Sequence, residues 1–215
     1  MTHRTVTTGM SLSELQMDAM QELSNMAINR AAGKLAELTG RSIRLRVPRV
    51  GLLETEELRT FLRQRMGGTI PCINQSFTGS FSGTSMLIYP RDSAAQLASL
   101  VLNQRKNVAE LSTLERSALI EIGNILINTF MGFIGEALEL SLNLSIPQMA
   151  VLSQESVETI LMDRQTADAG EQTVAMMIDN EMSVEETHVS GHMIILVDLQ
   201  VAIRWIARME ELWLG

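Results

Sequence analysis

Asp18-Ala19-Met20-Gln21-Glu22-Leu23-Ser24-Asn25-Met26-Ala27-Ile28-Asn29 and Ser117-Ala118-Leu119-Ile120-Glu121-Ile122-Gly123-Asn124-Ile125-Leu126-Ile127-Asn128 are one pattern written twice. Each opens on a small polar or acidic residue and continues with Glu, Asn and Asn at intervals of 4, 3 and 4 positions. On an α-helix those intervals gather the side chains along one face. Glu22 and Glu121, Asn25 and Asn124, and Asn29 and Asn128 share an offset of 99, and so do Pro48 and Pro147, each 23 residues beyond the central Asn. One offset shared by four identities marks an internal duplication.

Working outward, each stripe lies in a long candidate helix. The first spans about 12–39, with Ser11 and Glu14 as a capping box and Gly40 as a stop; the second spans about 113–140, with Ser112 and Glu115 repeating the box. Each helix is followed by a strand that holds the proline (42–50 and 144–152), which suits a sheet edge or a strand end. Short helices are expected at 54–65 and 156–164. Strand pairs are expected at 69–77 with 84–89 and at 173–178 with 188–197, and closing helices at 91–102 and 200–212. The segments 106–111 and 163–170 read as a boundary and a polar turn.

Each half thus reads helix, strand, helix, two strands, helix. Neither half can cover both faces of a three-stranded sheet alone, so the expected fold class is α+β. Two duplicated units related by a pseudo-two-fold should share a largely antiparallel sheet. The expected organisation is a flexible N-terminus over 1–10 and a single domain over 11–215, made of repeats at about 11–105 and 112–212.

Composition narrows the function class. The 215 residues are 46% apolar and 20% charged, as in a globular protein. No apolar run is expected to reach the length of a membrane span, and the first ten residues lack a signal-peptide core, so no membrane insertion and a cytoplasmic location are expected. The single cysteine, Cys72, suits a reducing compartment. A net charge of −8 argues against nucleic acid, which requires clustered Lys and Arg. Arg44 and Arg46 alternate with apolar neighbours as on a solvated strand face. The 15 Met residues are core fillers, with a minority available for a docking surface.

A polar stripe usually means only that one helix face meets water. Asn, however, is a poor mid-helix residue, because its amide competes for backbone hydrogen bonds. Two per helix at equivalent places point to function, with Asn25 and Asn124 expected to project outward beside their glutamates. Glu-x-x-Asn offers a carboxylate that can pair with a partner's Lys and, one turn on, a carboxamide that does not titrate near neutrality. Such an amide can hold and orient a water, which suits phosphoryl transfer, where positioning and charge neutralisation carry most of the catalysis.

The pattern Asp/Ser-x-x-x-Glu-x-x-Asn, then 22 residues, then Pro resembles the signature of the CheC, CheX and FliY phosphatases. It stands complete twice, as Asp18, Glu22, Asn25 and Pro48 and as Ser117, Glu121, Asn124 and Pro147. Phe77-Thr78-Gly79 with Gly83 and Met86-Leu87-Ile88 resembles the family's first hairpin. The resemblance implies a chemotaxis protein that hydrolyses the aspartyl phosphate of a phosphorylated CheY-type receiver. Glu22 and Glu121 would contact the receiver's Lys, and Asn25 and Asn124 would orient the water. Asp18, Ser117, Asn29, Asn128, Pro48 and Pro147 would support. No cofactor of its own is implied, since the Mg²⁺ belongs to the receiver. CheX would carry one motif in a shorter chain, and FliY would add a flagellar-switch domain, so CheC fits best. The family also binds CheD, a receptor-modifying deamidase, with 156–164 as the candidate contact. The alternative is a non-catalytic module that binds phosphorylated receiver or CheD; a flagellar-switch component is a third reading.

Other signals carry less. His188 and His192, near Glu185 and Glu186, faintly suggest a metal site, but both fall on one strand face with no third His or Cys nearby. Cys72 lies in a candidate buried strand without a His partner. Gly79 and Gly83 lack the Lys and Ser/Thr of a phosphate-binding loop and suit a hairpin.

Overall fold

Two capping boxes start the two long helices of the computed structural model, which describes residues 12–65, 70–102, 111–153, 172–184 and 187–214. Helix α1 (Glu14–Thr39) begins after Ser13, whose hydroxyl accepts from the Gln16 N–H while the Gln16 side chain accepts from the Ser13 N–H. The start therefore falls two residues later than the expected Ser11 box, because Ser13 and Gln16 offer the same reciprocal bonds and leave Glu14 in the first turn, where the helix dipole favours it. Gly40 closes α1 in the left-handed conformation, as expected. Helix α4 (Thr113–Ala137) has the expected Ser112/Glu115 box.

Between them the chain forms β1 (Ile43–Arg46), β2 (Val50–Glu54), α2 (Thr55–Arg65), β3 (Ile70–Gly79), β4 (Gly83–Ile88) and α3 (Arg91–Leu102). After α4 come β5 (Leu142–Leu144), β6 (Gln148–Leu152), β7 (Thr173–Val184), β8 (Thr187–Asp198) and α5 (Leu199–Leu214). The single strands expected at 42–50 and 144–152 are each broken in two, because proline has no N–H for the ladder. Pro48 lies between β1 and β2, and Pro147 between β5 and β6. The short helix expected at 156–164 and the turn at 163–170 lie outside the described residues, as does most of 106–111.

All the described strands join one antiparallel sheet in the order β1-β7-β8-β4-β3-β5, with β2 also on β7 and β6 also on β3. Exchanging the strands of the first half for their counterparts in the second returns the same order reversed. The pseudo-two-fold passes through the central β4–β8 pair. Each half also lends its broken strand to the far edge of the other half's hairpin.

One face of the sheet carries α1 and α4 packed together, flanked by α5 beside α1 and α3 beside α4. Ala19, Ala27, Ala31 and Ala32 line the buried side of α1, and small residues let helices approach closely. Leu119, Ile122, Leu126, Ile127 and Phe130 fill the space from α4. Truncating Phe130 to Ala there costs about 3–5 kcal/mol. The other face holds a smaller cluster in which Leu58 and Leu62 of α2 meet Cys72, Met86, Ile88 and Ile194.

Among the described residues one helix, Thr113–Ala137, is long and apolar enough to cross a membrane, which corrects the expectation that no run reaches that length. Its most apolar 18-residue window has mean hydropathy 1.5, and 61% of that window is buried inside the protein. The physical reason is its place in the core: it packs against α1, α3 and the sheet and needs apolar side chains over most of its circumference.

Candidate active site

The core sets the direction of each stripe. In α1 the buried positions are Ala19, Met20, Leu23, Ser24, Ala27 and Ile28, which turns Asp18 and Glu22 out to solvent and leaves Asn25 half-buried. In α4 the same spacing exposes Ser117 and Glu121 and leaves Asn124 and Asn128 half-buried. The glutamates thus stand free to meet a partner. The asparagines, expected to project outward, sit one layer deeper, because each is tied to the backbone kink at the nearest sheet edge or to its neighbours.

At the first site the kink residue is Val47, directly before Pro48. A residue preceding proline is driven to extended backbone, and here its peptide groups face α1. The Val47 N–H donates to Asn25 Oδ1 at 3.0 Å, and Gln21 Nε2 donates to the Val47 carbonyl. This explains the position of the proline: it ends β1 where the backbone must leave the ladder to reach Asn25.

The second site is built differently. On the offset of 99, Gln21 corresponds to Ile120 and Val47 to Ile146. Ile120 has no donor for the kink. Gln75, buried in β3, donates instead from Nε2 to the Ser145 carbonyl at 2.8 Å and to Asn128 Oδ1 at 3.4 Å. Asn128 Nδ2 in turn donates to Asn124 Oδ1. Ser145 is further fixed to β3, since its hydroxyl accepts from the Ser76 N–H at 3.0 Å and its own N–H donates to the Ser76 carbonyl at 2.8 Å. Val47 is 3% exposed, whereas its counterpart Ile146 is 83% exposed, an apolar side chain standing out from the kink before Pro147.

The two Glu/Asn pairs therefore occupy separate places at opposite edges of the sheet. Ser117 donates its hydroxyl to the Thr113 carbonyl at 3.0 Å within its own helix, and Asp18 lies one turn before Glu22. Asn29 parts company with Asn128: it is exposed and borders a groove of about 990 Å³ shared with Ser42, Arg44, Glu181, His188 and Ser190. Met26, 52% exposed, sits beside Asn25. The α1–α4 pair is tied on its surface by Arg30 and Glu136 at 2.8 Å.

Gln21, Val47, Gln75, Ser145 and Ile146 were not legible as site residues. Gln21 and Ile120 differ, so a search for duplicated identities passes over both. Gln75 lies in the first half of the chain but serves the second half's site, which only the strand exchange makes possible.

Cys72, Asp179, His188 and His192 sit in structural contacts. Burial pushes the Cys72 thiol up to about 12, so it holds its proton at neutral pH and is no nucleophile. His188 Nδ1 lies 3.0 Å from Ser183 Oγ, and His192 Nδ1 lies 2.7 Å from Asp179 Oδ1. Asp179 also receives Arg49 Nε and Nη2 at 2.9 and 2.8 Å. Burial alone would raise its carboxyl, but the hydrogen bonds and charges of His192 and Arg49 outweigh that and hold it below the ordinary carboxylate value. The Phe61 ring of α2 meets His192 edge-on at 4.9 Å. Glu185 and Glu186 lie outside the described residues.

No family model matches the chain. Curated relatives do match it. CheC1 of Halobacterium salinarum is 22% identical over 194 residues, covering 89% of this chain and 94% of the relative. The CheY-P phosphatase CheC of Bacillus subtilis is 29% identical over 145 residues, covering 65% of this chain and 68% of the relative. Among solved structures, Thermotoga maritima FliY superposes with a TM-score of 0.71 at 20% identity, covering 95% of this chain and 98% of that one. The FliM middle domain of H. pylori superposes with a TM-score of 0.61 at 12% identity, covering 92% and 99%. At these identities the structural likeness speaks for the fold.

Proposed function

We propose that this chain, which belongs to the CheC family, is a phosphatase that hydrolyses the aspartyl phosphate of a phosphorylated CheY-type receiver domain. The observation that carries the reading is the doubled arrangement of an exposed Glu with, one turn on, an Asn whose carboxamide oxygen is already held by a hydrogen bond. A side chain with one end held loses little freedom when its other end engages a substrate, which is the physical content of preorganisation.

Glu22 and Glu121 pair with the Lys beside the receiver's acyl phosphate, which docks the helix and draws that cation into register. Asn25 and Asn124 then enter the phosphate pocket. Each carboxamide keeps its oxygen on its own protein and presents its Nδ2 hydrogens outward, where they hold the oxygen of a water in line with the phosphorus. The amide takes no proton, because a carboxamide has no basicity to offer near neutrality. An acyl phosphate is a labile mixed anhydride and requires positioning more than base strength. The Mg²⁺ is the receiver's own. Asp18 and Ser117 extend the docking face by one turn, and Pro48 and Pro147 hold the kinks. CheD is a further expected partner.

The test is receiver dephosphorylation with wild type, Asn25→Ala, Asn124→Ala and the double variant. Each single variant retains part of the acceleration and the double variant loses it. A double variant as fast as wild type removes the assignment. Phosphorylation-dependent binding with no acceleration by the wild type selects the alternative of a binding module.

A further inference from the structure

Resting on that reading of Asn124 as the water-holding amide, we infer that Gln75 and Asn128 are positioning residues that set which end of the Asn124 carboxamide faces the receiver. One atom in the chain of contacts has a fixed polarity. The Ser145 carbonyl can only accept, so Gln75, 2.8 Å away, must present Nε2 to it. The same Nε2 carries a second hydrogen, and its partner at 3.4 Å must also accept, so Asn128 presents Oδ1. The amide of Asn128 is then left pointing along the helix toward Asn124, which must answer with its own oxygen. Three links, each forced by the one before, place Asn124 with its oxygen inward and its Nδ2 outward.

Site one reaches the same polarity by a shorter route. The Val47 N–H can only donate, so Asn25 answers with Oδ1 and also presents Nδ2 outward. Two unlike devices impose one orientation on the two candidate catalytic amides. Convergence on polarity, where the supporting residues differ, is the mark of a constraint imposed by the reaction. Gln75 is only 1% exposed in a core strand, where burying an amide is costly, and both hydrogens of its Nε2 are spent on the Ser145 carbonyl and Asn128 Oδ1.

The relay is read in the Asn25→Ala background, where site two works alone. Single-turnover decay gives kcat for the phosphorylated receiver, and titration with beryllofluoride-activated receiver gives affinity. Asn128→Ala is expected to lower kcat ~10-fold to 100-fold, the scale of a misplaced reacting group, with the beryllofluoride affinity unchanged. Asn128→Asp, nearly isosteric, still accepts from Gln75 but cannot donate to Asn124; it lowers kcat as far. Asn128→Gln keeps both an amide donor and an acceptor and recovers part of the loss. In Gln75→Leu the side-chain amide resonance of Asn124 shifts, although Gln75 bonds Asn128 and reaches Asn124 only through it.

Unchanged kcat in both Asn128→Ala and Asn128→Asp overturns the relay. So does an Asn124 amide resonance that ignores Gln75→Leu. If Asn25→Ala is itself inactive, site two takes no part and the relay falls, while the phosphatase reading survives on Asn25. If wild type fails to accelerate decay, the phosphatase reading falls with it.

Discussion

The side-chain oxygen of Asn25 accepts the backbone N–H of Val47 at 3.0 Å, joining the middle of a helix to the kink before Pro48. Asn25→Asp preserves that acceptor, while Asn25→Ala deletes it. In the Asn124→Ala background both variants are expected to lose at least about tenfold in receiver dephosphorylation, since neither presents an outward N–H. Their melting points should part. Asn25→Asp stays near its parent, and Asn25→Ala falls by about 2–4 °C, corresponding to about 1 kcal/mol for one hydrogen bond. Equal melting points for the two would show that the Val47 contact adds no stability.

Val47 and Ile146 occupy equivalent positions with opposite exposure, 3% and 83%. Val47→Ser should destabilise by about 1–3 kcal/mol, because it puts a hydroxyl into the core. Ile146→Ser should change stability by no more than about 0.5 kcal/mol, yet raise KM severalfold for the receiver at site two, because an exposed apolar side chain next to the anchored Ser145 suits a docking surface. Measured in the Asn25→Ala background, an unchanged KM would make Ile146 a bystander.

Gly123, directly before Asn124, lets α4 lie close on β3. A Cβ built there comes within 2.6 Å of the Ile73 side chain. Gly123→Ala should therefore cost about 1–3 kcal/mol by overpacking and slow site two by displacing Asn124. Adding Ile73→Val should restore part of the stability in a denaturant melt. A Gly123→Ala protein as stable and active as its parent would show that the helix can shift without consequence.

Asp179 gives a pH prediction. Its folded carboxyl lies below the ordinary value of 3.8, despite burial, because His192 and Arg49 favour the charged form. A depressed carboxyl contributes stability that is fully present above its unfolded value and is lost as pH falls through the folded one. Asp179→Asn should lose about 1–3 kcal/mol at neutral pH and show a shallower decline in stability below about pH 4 than wild type. Parallel acid limbs in urea melts of the two proteins would contradict this.

Much of the fold was legible because the chain states it twice. Helix periodicity, the Ser112/Glu115 box, Gly40 and the hairpin glycines each act over a few residues, and local rules read them. Gly79 illustrates the limit. Its φ of 130° suits the expected turn, but the atom a Cβ would strike, at 2.1 Å, is the carbonyl of Ser141, more than sixty positions away. The breaks at Pro48 and Pro147 were expected only as edges or ends, because the contact that bends the backbone lies in a helix remote in sequence.

By itself the sequence determined the two helices, the duplication, the α+β class and the faces that carry Glu22, Asn25, Glu121 and Asn124, since a 3.6-residue period and a repeated offset are properties of order along the chain. Tertiary structure alone decided that each half completes the other's sheet edge, that the two Glu/Asn pairs lie apart, and that Gln75 of one half bonds Asn128 of the other. The reason is physical: hydrogen-bond polarity and burial are settled by which atoms meet in space, and strand exchange brings together atoms that the chain keeps distant.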